Sequence, residues 1–125
     1  VSIEVGLRGE ATLVVSDADT ALALRSGTVD VLATPRLVAL CEEATCAAVD
    51  GRVPAGHTTV GMRVQIDHLQ PTAVGTQVTA EATLDKIDGR RFSFTVSASD
   101  ERGLIAVCKV TRVLVDIEHF TSKIR

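Results

Sequence analysis

The sequence predicts an α+β domain in which a long antiparallel sheet wraps around one central helix. Two patterns and one comparison of lengths carry that expectation. Apolar residues recur with period two in several segments whose alternate positions are polar, the pattern of strands buried on one face. One-sided burial points to an antiparallel sheet rather than a doubly wound parallel one. A single stretch after Ala33 keeps helical periodicity instead. Strands of about 11 to 12 residues extend roughly 40 Å and a helix of about 15 residues only about 22 Å, so a twisted sheet can curl around the helix.

The elements follow in chain order. Ile3, Val5, Leu7, Ala11, Leu13 and Val15 alternate as the inward face of a first strand. Ser16 to Asp30 is mixed, with turn-formers at Ser16, Asp17, Asp19, Ser26 and Gly27, and reads as a loop or short helical turn that covers something. Thr34 suits an N-cap and Pro35 the first helical position. Leu37, Val38, Leu40, Cys41, Ala44, Thr45 and Ala48 then form a broad apolar stripe, which Asp50-Gly51 ends. Residues are small nearly all round this helix, as expected when other elements enclose it.

Only strands follow the loop GRVPAGH. Their expected inner faces are Val60, Met62, Val64, Ile66 and His68, then Val78, Ala80, Ala82 and Leu84, then Phe92, Phe94, Val96 and Ala98. Asp88-Gly89 and Asp100 to Gly103 supply the hairpin turns. The last strand, Leu104 to Val115, is apolar on both faces and should be central or covered by a partner. No repeat, linker or low-complexity tract divides residues 1–125, so a single domain is expected.

Composition narrows the function classes. Apolar residues make up 46% of the 125 residues and the net charge is −3, which excludes a disordered segment and argues against nucleic acid as a partner. The apolar runs are too short for a membrane-spanning helix, and VSIEVGLRGE lacks the basic start and apolar stretch of a signal peptide. A cytoplasmic location is the expectation. Cys41, Cys46 and Cys108 show no CxxC spacing and read as reduced core thiols rather than as a disulfide framework or zinc site. With 2% aromatic residues and neither Trp nor Tyr, any ligand pocket must be largely aliphatic.

The helix carries two adjacent acids, Glu42 and Glu43, and both have mainly apolar neighbours at helical spacing. Periodicity does not separate them, and either could reach water at the edge of the sheet. His68 occupies a position where the alternation calls for an aliphatic residue, on the face that packs against the helix. It reads either as a satisfied core histidine or as half of an acid–imidazole pair, in which a carboxylate would raise the histidine pKa. Thr34 reads as a cap, or as a hydroxyl beside helix N-terminal amides that can attack or hold a carbonyl. Gly61 interrupts a strand, by a bulge or to allow close approach of a ligand or another chain. Arg90-Arg91 follows a turn and reads either as a solvated hairpin end or as a grip on the phosphates of a nucleotide tail. There is no phosphate loop, HExxH or GxSxG motif, and His57 and His119 have no metal-ligand company, so no metal or cofactor is expected.

These residues resemble a known family. One helix followed by long antiparallel strands, with HLQPTAVGTQVTAEA at a strand junction, is similar to the hotdog-fold acyl-CoA thioesterases, in particular their fluoroacetyl-CoA thioesterase-like branch. The resemblance runs from Val5 to Ile124 and rests on His68, Pro71, Gly75 and Val78 as a His-x-x-Pro-x-x-x-Gly-x-x-Val pattern. It rests more strongly on the intervals joining Thr34, Glu42, Gly61 and His68. The resemblance implies Thr34, Glu42 and His68 as catalytic residues and Gly61 as a backbone donor to substrate. It favours Glu42 over Glu43, and it matches Arg112 to an arginine near the site and DIEHFTSK to the family's C-terminal segment. It further implies an acyl-CoA substrate and a homodimer joined edge to edge, with the site in the groove between subunits. In the lid, ALALRSGTVDVLAT lacks the aromatic residues of the fluoroacetyl-specific enzyme, so the implied activity is hydrolysis of a small acyl-CoA thioester whose acyl group the sequence leaves open. A non-catalytic acyl-CoA binder or sensor is the competing reading.

Overall fold

Five alternating segments become strands, and in the computed structural model, which describes residues 2–125, all five join one sheet. They are β1 (Arg8–Val14), β2 (His57–His68), β3 (Gln77–Asp88), β4 (Arg91–Asp100) and β5 (Gly103–Asp116). Their order is β1-β3-β4-β5-β2, with every neighbouring pair antiparallel. The helices are α1 (Ala21–Leu24), α2 (Thr34–Val49) and α3 (Ile117–Ser122). Helix α2 lies across the sheet and touches all five strands. Its Leu37, Leu40, Cys41, Ala44 and Ala48 form one core with the inward residues of β3, β4 and β5. Fully burying side chains such as Phe94, Leu37 and Leu40 stabilises the fold by roughly 1.5–3 kcal/mol each.

Small residues let helix and sheet approach to backbone contact. A Cβ on Gly9 in β1 would stand 2.5 Å from the Ala44 carbonyl oxygen and would also clash with the Ala48 amide nitrogen. Both obstacles are backbone, which cannot swing aside. Gly9→Val is therefore expected to lower unfolding free energy by about 3 kcal/mol, the upper part of the usual overpacking range, as read from urea midpoints. An unchanged midpoint would show that β1 can lift from α2.

Several expectations need correction. The first strand begins at Arg8, not Ile3, because the chain turns at Val5-Gly6 before entering the sheet, and Val5 is exposed. Helix α2 starts at Thr34 with Ala33 as its N-cap, so Thr34 is not the cap and Pro35 is the second helical residue. The helix is not enclosed all round: Glu43, Cys46 and Ala47 face out, and Cys46 is an exposed thiol rather than a core one. Strand β2 shifts register between Gly61 and Arg63. This bulge reverses the alternation, so Thr59 and Gly61 face inward before it, while Val64, Ile66 and His68 do so after it. Val60 and Met62 do not share the inner face as the unbroken period required. Strand β5 is interior, between β4 and β2, which accounts for its apolar character.

Candidate active site

Two polar clusters lie along α2. The first forms at its N-terminus, where Thr34 Oγ1 is 2.8 Å from Nδ1 of His68, the last residue of β2. Because Ala33 takes the capping position, the Thr34 hydroxyl is free for this bond. The other ring nitrogen, Nε2, is buried and has no hydrogen-bond partner among the described residues. Burial of the ring pushes the His68 pKa below its ordinary value, against a weaker opposite influence of the Gln70 backbone. The expected raising by a carboxylate is thus corrected: desolvation dominates and the imidazole is held neutral.

A cavity of about 300 Å³ opens over this pair, walled by Ala21, Gly27 and Val29 of the covering segment together with Val31, Thr34 and His68. No aromatic residue lines it. The covering segment is Ser16 to Asp30, as the sequence suggests: a 3-10 turn at Asp17–Asp19 and the short helix α1. Its anchor is Asp19. The side chain accepts from the Ser16 amide and hydroxyl, both at 2.8 Å, and pairs with Arg36 Nε at 3.1 Å, while its carbonyl accepts from Ala33 N–H. The Ser16 amide, and to a lesser extent the Ser16 hydroxyl and Arg36, hold the Asp19 carboxyl below the usual carboxylate range. The cover is therefore tied to the first turn of the helix that carries Thr34.

The second cluster surrounds Glu42. Its Oε2 is 3.2 Å from Nη1 of Arg112 in β5. Arg112 is buried, and its Nε and Nη2 donate to the Thr59 hydroxyl and carbonyl at 2.9 and 3.0 Å. The guanidinium is thus both neutralised and fully oriented, as a buried cation must be. Gly61 pairs with Arg112 across β2 and β5, and a Cβ on it would meet Glu42 Oε2 at 2.5 Å. A side chain here would displace the carboxylate from its present position. The bulge reading of Gly61 holds, and the close approach seen within the chain is by the Glu42 side chain rather than by a ligand or another chain.

The structure also separates the two acids. Glu43 is exposed and reaches only Arg36 at 3.5 Å, a surface pair. Glu42 is the inward one. Thr59 was missed by sequence reasoning, because the bulge hides the fact that it shares a face with Gly61. Cys41 and Cys108 are buried beside Glu42; the neighbouring Cys108 thiol and burial push Cys41 strongly upward, which keeps it protonated and unreactive.

Thr34 and His68 are together, and Glu42, Gly61 and Arg112 are together, but Glu42 does not bond to His68. Glu42 is eight positions beyond Thr34 in α2, about 12 Å along the helix axis. Within one chain, the orienting partner of Glu42 is Arg112.

Comparison with known proteins agrees with this architecture. Residues 15–118 match the family model described as fluoroacetyl-CoA-specific thioesterase. The fluoroacetyl-CoA thioesterase of Streptantibioticus cattleyicolor is 32% identical over 96 residues, covering 77% of this chain and 69% of that protein. A solved structure of the fluoroacetyl-CoA thioesterase FlK superimposes with a TM-score of 0.93 at 29% identity, covering 100% of this chain and 97% of the other. A hot-dog-like protein from Thermanaerovibrio acidaminovorans superimposes with a TM-score of 0.89 at 25% identity, covering 98% and 90%. The antiparallel sheet curled on α2 is thus a hotdog fold, and the chain is a thioesterase that belongs to the fluoroacetyl-CoA-specific thioesterase family.

Proposed function

We propose that the protein hydrolyses a small acyl-CoA thioester to the free acid and CoA, using Thr34, His68 and Glu42. The observation that carries this reading is the 2.8 Å contact between Thr34 Oγ1 and a half-buried His68, at a cavity with an aliphatic wall and no aromatic ring to stack on an acyl group. A neutral imidazole accepts a proton from the Thr34 hydroxyl, or from a water held beside it, as the oxygen attacks the thioester carbonyl. The same proton then passes from His68 to the departing CoA sulfur. Where Thr34 is the attacking group, a water that gives its proton to His68 then cleaves the acyl-Thr34 ester, releasing the acid as His68 returns the proton to the Thr34 oxygen. The Gly61 amide, with the first amides of α2, holds the carbonyl oxygen as it becomes negative. Arg112 holds Glu42 in place for substrate or water.

The protein acts as a homodimer. Strand β2 is an edge strand of twelve residues, and such an edge is a template for antiparallel pairing with a second copy. A two-fold axis between Val64 and Gln65 would set Gly61 opposite the partner's His68. The Thr34–His68 pair of one subunit would then face the Glu42–Arg112–Gly61 cluster of the other, so two half-sites separated within one chain become one site. A cytoplasmic location suits this reading, since the exposed Cys46 is a free thiol.

Thiol capture over a panel of acyl-CoA esters tests the activity. Release of CoA is expected fastest for short, non-aromatic acyl groups, and saturable binding without thiol release would support the non-catalytic alternative. Because burial lowers the His68 pKa, the base stays competent to lower pH than an ordinary histidine. The acid limb of kcat/KM should fall with a midpoint below about 6.5. A midpoint at or above about 7 would mean that the facing carboxylate of the partner's Glu42, or another group, outweighs burial of His68.

A further inference from the structure

The cavity over Thr34 and His68 is aliphatic on only part of its wall. Ser26, Thr28 and Gln70 also line it, and their side chains have no hydrogen-bond partner among the described residues. The hydroxyls on neighbouring positions are all engaged: Thr20 donates to the Asp17 carbonyl at 2.9 Å, Thr34 meets His68, and Thr72 donates to Asp100 at 2.9 Å. Among the described residues, none that lines the cavity is Asp, Glu, Lys or Arg. Arg36, in the first turn of α2, is taken up by Asp19 at 3.1 Å and by Glu43 at 3.5 Å. The cavity thus offers free hydroxyls and no counter-charge.

Ser26 and Thr28 are exposed, but the stretch that carries them is tied to itself. It is closed at its base, where Thr20 bridges Leu32 and Ala21 N–H donates to the Val31 carbonyl at 2.9 Å. Arg25, at φ 59°, ends α1 in the left-handed conformation and reverses the chain. Ser26 N–H then donates back to the Ala21 carbonyl at 3.0 Å, and a Cβ on Gly27 would come within 3.3 Å of the Ala21 Cβ. Ser26 and Thr28 flank that closely packed glycine. Groups already placed in this way lose little freedom when a ligand meets them. Water solvates both hydroxyls in the free protein, so a ligand exchanges one hydrogen bond for another and the gain from each is modest.

We infer that the acyl group is a short hydroxyacyl chain, whose hydroxyl bonds Ser26 and Thr28 while its carbons lie against Ala21, Val29 and Val31. A serine or threonine hydroxyl both donates and accepts, so the pair can satisfy the donor and the acceptor of one substrate hydroxyl. A plain alkyl chain displaces water from the two hydroxyls and gives them no partner in return. A carboxylated chain fares worse, because it loses its own hydration where no cation faces it. The inference rests on the hydrolase reading above and names the substrate class of that same site.

The test measures kcat/KM for matched CoA esters, β-hydroxybutyryl with butyryl and lactoyl with propionyl, together with succinyl-CoA, in wild type and in the Ser26→Ala/Thr28→Val double variant. Both positions are exposed, so the fold should survive, as unchanged thermal unfolding would verify. In wild type the hydroxylated member of at least one pair should be favoured about tenfold, the scale of two exchanged hydrogen bonds, and succinyl-CoA should be the slowest ester. That ratio should fall to about one in the double variant, with Ser26→Ala alone in between. The ratio within a pair is the decisive readout, because a general disturbance of the segment slows both members alike. A wild-type ratio near one for both pairs overturns the inference and leaves the hydrolase reading standing. So does a preference that survives in the double variant, or fastest release from succinyl-CoA. If wild type releases no thiol from any ester, the hydrolase reading fails, and equilibrium binding of the same pairs decides the cavity. Tighter binding of a hydroxylated ester that disappears in the double variant supports it; equal binding within both pairs, or none, removes it.

Discussion

Replacing His68 by alanine or asparagine is expected to lower kcat by about two to four orders of magnitude, the scale of a lost general acid–base group, while the fold persists. The alanine variant removes the ring whose Nδ1 meets Thr34 Oγ1. It also removes Nε2, a buried nitrogen with no partner among the described residues, so the fold loses few hydrogen bonds of its own. Asparagine is the sharper replacement. Its amide can still bond the Thr34 hydroxyl but does not take up a proton near neutral pH. Steady-state kinetics of both variants separates proton transfer from positioning: comparable losses support the base, whereas an asparagine variant near wild-type rate would reduce His68 to a strut for Thr34.

Glu42→Gln should also lower kcat by about two to four orders of magnitude, and mixing it with His68→Ala should restore activity. In a homodimer whose sites each combine His68 of one subunit with Glu42 of the other, a mixed dimer carries both defects in one site and none in the second. After equal amounts are unfolded and refolded together, roughly half the dimers are mixed, so about a quarter of wild-type activity returns. If each chain held a complete site, mixing would restore nothing. Glutamine keeps an oxygen for Arg112, at present 3.2 Å from the carboxylate, so the buried guanidinium retains an acceptor even though it loses its counter-charge. Thermal unfolding of the variant alone measures that cost separately. Sedimentation of wild type as a single-chain species would remove the shared site altogether.

Much of the fold was legible in the sequence because period-two alternation depends on local chain geometry. Val78, Ala80, Ala82 and Leu84, and likewise Phe92, Phe94, Val96 and Ala98, are all buried as their spacing required. The end of α2 at Asp50-Gly51 and the turns after Asp88 and Asp100 were equally readable. Its beginning was off by one residue. Threonine is a favoured cap, but Oγ1 of Thr34 bonds a histidine 34 positions away, and no local signal competes with capping in a sequence reading.

Residue types and spacing singled out Thr34, Gly61 and His68, left Glu42 and Glu43 open, and predicted a long antiparallel sheet around one helix; the family resemblance added Arg112, favoured Glu42 and implied the hotdog fold. What only the tertiary structure decided was how those five residues divide. The bulge after Gly61 turns Thr59 and Gly61 inward, so Glu42 meets Arg112 and the glycine backbone, while His68, beyond the bulge, meets Thr34. By orientation on the helix the tertiary structure also makes Glu42, which the resemblance favoured, the inward acid and Glu43 the exposed one, a distinction periodicity could not make because both acids have apolar neighbours. The physical reason is one of range. Alternation and capping are set by a few adjacent residues, whereas an ion pair across seventy positions, or a register shift in one strand, depends on how distant segments pack.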